Sequence, residues 1–125
     1  PLDEPALRGS MLARCVTSDK FEKFVDVMFS TQENWAGKKN YLEVLSNIAK
    51  LGGMTGEKFD LCMADKLLEE EVINSKWHAI KVLEVRSTPT FFINGEKHEG
   101  AKNKEYFKAV LDGIIEPAAT ASDVE

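Results

Sequence analysis

The chain holds two cysteines and two histidines, and these few residues limit the chemistry it can perform. Cys15 and Cys62 are too far apart to form a Cys-x-x-Cys, the short motif in which a helix N-terminus lowers the pKa of one thiol. Three readings stay open for them: a structural disulfide, two buried free thiols, or a redox pair. A catalytic role is disfavoured, because a nucleophilic cysteine needs an exposed, electropositive helix start. Cys15 instead falls late in an expected helix, and Cys62 midway along another. Both have apolar neighbours (Met11, Leu12, Phe59, Met63) and are expected to face a core. A bridge would close a loop of close to fifty residues and stabilise the fold by roughly 4 kcal/mol on the chain-entropy account. His78 and His98 stand at no zinc-like spacing from the cysteines or from each other, so neither a metal nor another cofactor is expected. Both histidines are expected at the surface, His78 on a helix with mixed faces and His98 on a strand between Lys97 and Glu99.

A second constellation is backbone chemistry, in the run Arg86 to Gly100, RSTPTFFINGEKHEG. Asn94-Gly95 between two short runs predicts a β-hairpin, since both positions tolerate the positive φ of a type I′ turn. The first strand is expected at Thr90 to Ile93. Pro89 cannot donate to a ladder and belongs at the strand's first residue or on an edge. A tight bend at an edge exposes unpaired peptide groups, which is what β-strand addition by another chain needs. Taken alone, an X-Pro bond is expected to be trans.

The elements that position these groups are helical up to the hairpin. Pro5 lies in the first turn of a helix from Glu4 to Val16. Ser18 is expected to cap a second, from about Asp19 to Phe29, whose Phe21, Phe24, Val25 and Met28 form one face that must be buried. A linker around Trp35 to Gly37 leads to a third helix, Lys39 to Leu51, with Tyr41, Leu45 and Ile48 inward and Gly52-Gly53 as a left-handed stop. Thr55 caps a short fourth helix that carries Phe59, Cys62 and Met63. A fifth, from about Lys66 to Val85, has Leu68, Val72, Ala79, Ile80 and Leu83 as its stripe. Glu69, Glu70 and Glu71 fall in its early turns, where the helix dipole favours acid. Trp35 and Trp77 are expected to pack rather than to bind a ligand.

Composition narrows the partners. The 125 residues are 43% hydrophobic, enough for a core. A net charge of −5, with Lys38-Lys39 expected to be a solvated helix start rather than a binding patch, argues against a nucleic-acid partner. No apolar run approaches the length of a membrane span.

The Thr88-Pro89 before Thr90-Phe91-Phe92-Ile93-Asn94-Gly95, the return strand ending in Gly100 and a helix from Glu105 to Ile115 resemble the C-terminal end of DsbA-like thiol:disulfide oxidoreductases. Upstream, Pro1-Leu2-Asp3, Met11 to Cys15, Phe59-Asp60-Leu61-Cys62 and Leu83 to Pro89 resemble them too, so the likeness runs to about Ile115. It departs at Glu84 and Ser87, where the family often has Gly, and above all in lacking the Cys-x-x-Cys of the family's first thioredoxin helix.

The resemblance implies an α+β, mostly helical chain. The fold would be a partial thioredoxin-like one, with a helical insertion domain over 1–85, a C-terminal thioredoxin part with hairpin and helix over 86–116, and a mobile tail over 117–125. It implies a fragment of a disulfide-exchange enzyme acting on protein thiols and disulfides, inactive alone because the redox motif is missing. The alternative is a redox-inactive binding module of the same fold. Thr88 and Pro89 would then dock substrate across a cis bond, and Cys15 and Cys62 would form the second, structural disulfide found in some branches of the family. A periplasmic or other extracytoplasmic bacterial location and a membrane redox partner of the parent protein are implied as well. The apolar edge of the TFFI strand leads to the further expectation of a homodimer through strand pairing.

Overall fold

Asp3 starts the first helix by accepting the Ala6 N–H on its side chain (2.9 Å), and α1 runs Glu4–Cys15 in the computed structural model, which describes residues 1–115. Then follow α2 (Phe21–Ser30), α3 (Gln32–Trp35), α4 (Tyr41–Leu51), α5 (Gly56–Ala64) and α6 (Lys66–Lys81). After them come β1 (Thr90–Ile93), β2 (Glu96–Glu99) and α7 (Lys104–Ile115). The chain divides into two units, Pro1–Glu84 and the part beginning at Val85. The tail expected over 117–125 lies outside the described residues.

The helical unit closes over Leu12, Phe24, Met28, Trp35, Leu45, Ile48, Phe59 and Cys62. α1 and α3 contribute one of these residues each and α2, α4 and α5 two each, spaced three or four apart, because a helix presents its apolar face at that period. Trp35 is buried and its indole N–H donates to the Met28 carbonyl (3.1 Å), so the ring fills the core without an unpaired donor. Gly9 is buried against Met28 and Trp35: a Cβ there would lie 3.0 Å from Met28 Cε, the movable end of its side chain, and 3.5 Å from the Trp35 ring. At the end of α4, Gly53 takes φ +90°. Its N–H donates to the Lys50 carbonyl (2.9 Å) and the Met54 N–H to the Ala49 carbonyl (2.9 Å), a Schellman stop. Thr55 caps α5 by accepting the Lys58 N–H.

Several boundaries depart from the sequence reading. α2 starts at Phe21, and Ser18 does not cap it; residues 17–20 form a turn in which the Lys20 N–H reaches the Thr17 carbonyl (3.0 Å). Of the face expected to be buried, Phe24 and Met28 are, while Phe21 is exposed. The linker expected around Trp35 to Gly37 begins on the last residue of α3, a single turn over Gln32–Trp35. α6 ends at Lys81, four residues early, because Glu84 adopts φ +52° and a left-handed residue cannot continue a right-handed helix. Its stripe is correspondingly poor, with Val72 its one buried residue.

In the second unit β1 and β2 pair antiparallel, Thr90 with Glu99 through Ile93 with Glu96. Asn94 (φ +48°) and Gly95 (φ +84°) make the two-residue turn. Phe91 stands edge-on to Phe107 of α7, ring centroids 4.7 Å apart. The fold class is therefore α+β and mostly helical, with one two-stranded sheet among the described residues.

Candidate substrate-docking site

Thr88 and Pro89 lead directly into β1, and the bond between them is cis. Two hydrogen bonds fix the bend around them. The Thr90 hydroxyl donates to the Ser87 carbonyl (2.7 Å), and the Gly100 N–H donates to the Pro89 carbonyl (2.9 Å). Proline has no N–H, so every polar backbone group of Pro89 is used. Thr88 is the opposite case. It is exposed, and its N–H and C=O have no partner among the described residues. An exposed peptide group with donor and acceptor both vacant at a strand's start can hold an extended chain by main-chain hydrogen bonds.

The other sequence-derived candidates lie in the helical unit. Cys15 and Cys62 are joined, with S–S at 2.01 Å and Cα atoms 6.2 Å apart. Cys15 ends α1 and Cys62 sits inside α5, so the bridge ties the first helix to the fifth. Cys62 Sγ also lies 3.5 Å from the Met11 carbonyl oxygen. A disulfide sulfur has no proton to donate, so this is a packing contact in the oxidised chain. His78 is exposed on α6. Trp77 is 48% exposed there, with Lys81 Nζ over its ring, which corrects its assignment to packing. No group of three or more His, Cys, Asp or Glu fit to hold a metal occurs among the described residues.

His98 departs from its sequence reading. Rather than facing solvent it is 95% buried, with Nδ1 2.7 Å from the Tyr106 hydroxyl, and its Nε2 has no partner among the described residues. His98 is paired with Phe91, and the two meet Tyr106 and Phe107 of α7, so position 98 lies on the face of the hairpin that α7 covers. An i to i+8 pairing across a Gly100 turn leaves no periodic signal by which a sequence could reveal it.

The acidic run on α6 also does more than meet a helix dipole. Arg8 of α1 donates to Glu69 (3.1 Å) and to the Met63 carbonyl (3.3 Å) and approaches Glu4 (3.7 Å). Lys66 donates to the same Glu69 carboxylate (3.1 Å), and Arg14 reaches Glu71 (3.5 Å). The bonds from Lys66 and then Arg8 hold the Glu69 carboxyl below its ordinary value of 4.5. Burial, with Glu4 beside it, raises the Tyr41 hydroxyl above its usual 10.0.

Comparison with known proteins covers most of the chain. The family model described as Thioredoxin matches residues 1–113. A Rickettsia bellii protein named "Putative protein-disulfide oxidoreductase" is 31% identical over 119 residues, which is 94% of this chain and 46% of that protein. A Rickettsia typhi protein of the same description is 32% identical over 106 residues, 83% of this chain and 39% of its own length. The crystal structure of Wolbachia pipientis alpha-DsbA1 superposes with a TM-score of 0.79 at 30% identity, over 90% of this chain and 63% of that one. The chain thus spans less than half the length of these curated relatives.

Proposed function

The chain belongs to the thioredoxin family, on its DsbA-like protein-disulfide oxidoreductase branch, and from that premise we propose that it is the helical and substrate-docking part of a thiol:disulfide oxidoreductase. The redox-active Cys-x-x-Cys is not among these 125 residues, and this reading assigns it to the further length that the curated relatives have and this chain does not cover. In the exchange reaction a thiolate attacks a disulfide sulfur, a mixed disulfide forms, and the displaced sulfur leaves as a thiolate. This chain's share is to hold the protein substrate while that happens. The vacant N–H and C=O of exposed Thr88 carry the reading, because one extended substrate residue can accept from the first and donate to the second. Pro89, with its carbonyl committed to Gly100, keeps the bend shaped.

Alone, the chain has no redox turnover, and Cys15–Cys62 is structural. Its persistence fits an oxidising, extracytoplasmic compartment, where such bonds survive. Any membrane partner that reoxidises the enzyme acts on the parent protein's motif. A second reading, a redox-inactive peptide-binding module, is favoured by the missing motif and uses the same Thr88 groups. β1 pairs with β2 on one edge only among the described residues, so strand pairing between two copies of the chain is proposed as well; a clean monomer in sedimentation at high concentration refutes that pairing.

The test of docking is an amide titration of the ¹⁵N-labelled chain with an unfolded, cysteine-bearing peptide. The reading expects shifts at Thr88, Thr90 and Gly100, and amides over 87–100 left unmoved at saturation would overturn it.

A further inference from the structure

The helical unit carries a second recognition surface that the Thr88 bend does not use. α2 buries Phe24 and Met28, yet Val27, on a neighbouring face, is 37% exposed. On α4, Ile48 is buried while Leu51 is 90% exposed. These residues from two helices face one another across an open groove of about 410 Å³, with Phe24, Val27, Ile48 and Leu51 on its walls and Lys20 and Lys23 on its lip. The volume lies in the range of sites that enclose a bulky side chain or small ligand. No acidic residue lines it. That lip is unusual in a chain of net charge −5. Lys20 is partly committed, its Nζ donating to the Gly52 carbonyl at the end of α4 (3.3 Å), where a cation is favoured by the helix dipole. Lys23 is exposed and has no partner among the described residues.

We propose that the groove between α2 and α4 docks a segment of the protein substrate in which a bulky apolar side chain adjoins an aspartate or glutamate, the apolar group entering between Val27 and Leu51 and the carboxylate meeting Lys23. This rests on the reading that the chain serves protein substrates. Unfolded substrates expose apolar side chains, and the lysine lip selects among them by charge. A complementary rim contributes to specificity and encounter rate more than to affinity, so the discrimination depends on salt.

The test uses fluorescence polarisation with the full chain and two labelled, cysteine-free peptides of identical apolar content, one flanked by aspartates and one by lysines. Without cysteine, neither peptide reports on thiol exchange or on the missing motif, so failure here is separate from failure of the proposed enzyme reading. The acidic peptide binds more tightly, and Lys23→Glu removes roughly two- to fivefold of its affinity, the scale of an exposed charge pair. Val27→Asp, at a position open enough to tolerate the change, abolishes about tenfold or more by placing a carboxylate on the apolar wall. Unchanged circular dichroism and melting confirm that both variants fold, and Lys23→Glu stands as the probe should Val27→Asp not. Equal affinity for the two peptides, no binding of either, or acidic-peptide binding indifferent to Lys23→Glu overturns the assignment. So does a dimer in sedimentation that Val27→Asp dissolves, since a second copy would then be the occupant.

Discussion

Reducing the Cys15–Cys62 bond is the perturbation whose size follows most directly from the fold. The two residues are 47 positions apart. Opening a loop of that length returns about 13.6 cal/mol/K of chain entropy to the unfolded state, or about 4 kcal/mol at 25 °C. One local gain opposes it: the freed Cys62 thiol can donate to the Met11 carbonyl 3.5 Å away, offsetting at most about 1 kcal/mol. The helical unit comprises Pro1–Glu84, and at about 2.1 cal/mol/K of unfolding entropy per residue a loss of 3 to 4 kcal/mol lowers its melting temperature by roughly 20 °C. The assay is a far-UV circular dichroism melt of the chain with and without a phosphine reductant, beside a Cys15→Ser/Cys62→Ser variant that the reductant must not affect. Trp35 fluorescence follows the same core. A shift below about 5 °C, which corresponds to roughly 1 kcal/mol, would refute the argument that this bond restrains the unfolded chain and ties α1 to α5.

Three further outcomes follow from single contacts. Because Lys66 and Arg8 hold the Glu69 carboxyl below 4.5, the folded chain binds that proton less readily than the unfolded one; the resulting stability is full above the ordinary carboxylate value and is lost as pH falls through the lowered one, so Glu69→Gln flattens the acid limb of a pH–stability curve measured by urea unfolding. Gly9→Leu forces a side chain into Met28 and Trp35 and costs about 1 to 3 kcal/mol, read as a lower urea midpoint, whereas Gly9→Ala is near neutral because Met28 Cε is the movable end of its side chain. Tyr106→Phe removes the partner of His98 Nδ1 in a buried site and costs about 1 to 3 kcal/mol, more than the double change with His98→Phe, as a double-mutant cycle in denaturant reads out.

What was legible in the sequence was what local chemistry dictates. Asn94-Gly95, Thr55 before α5 and Gly52-Gly53 after α4 each specify a backbone geometry within a few residues, and the structure places the hairpin and the two helix ends there. The cysteine pairing was one of three open readings until the resemblance favoured it, because two residues 47 apart meet only once α1 and α5 have packed. Elsewhere the structure departs from the local signal. Ser18 looked like a cap, but the turn at 17–20 moves the helix start to Phe21. α6 looked continuous to Val85, though Glu84 turns left-handed. His98 looked solvated because its flanking charges alternate outward, while its own side chain is covered by α7. Arg8 gave no signal, since its partners Glu69 and Met63 lie more than fifty positions away.

The central claim is that this chain holds the substrate while the reacting sulfur lies elsewhere in the parent protein. Insulin reduction with a thiol reductant tests it, run with this chain and with a longer form that carries the Cys-x-x-Cys of the proposed parent protein. The account predicts turnover by the parent and none above the reductant background by the chain alone. Turnover by the chain would contradict it, because Cys15 and Cys62 would then be the redox pair.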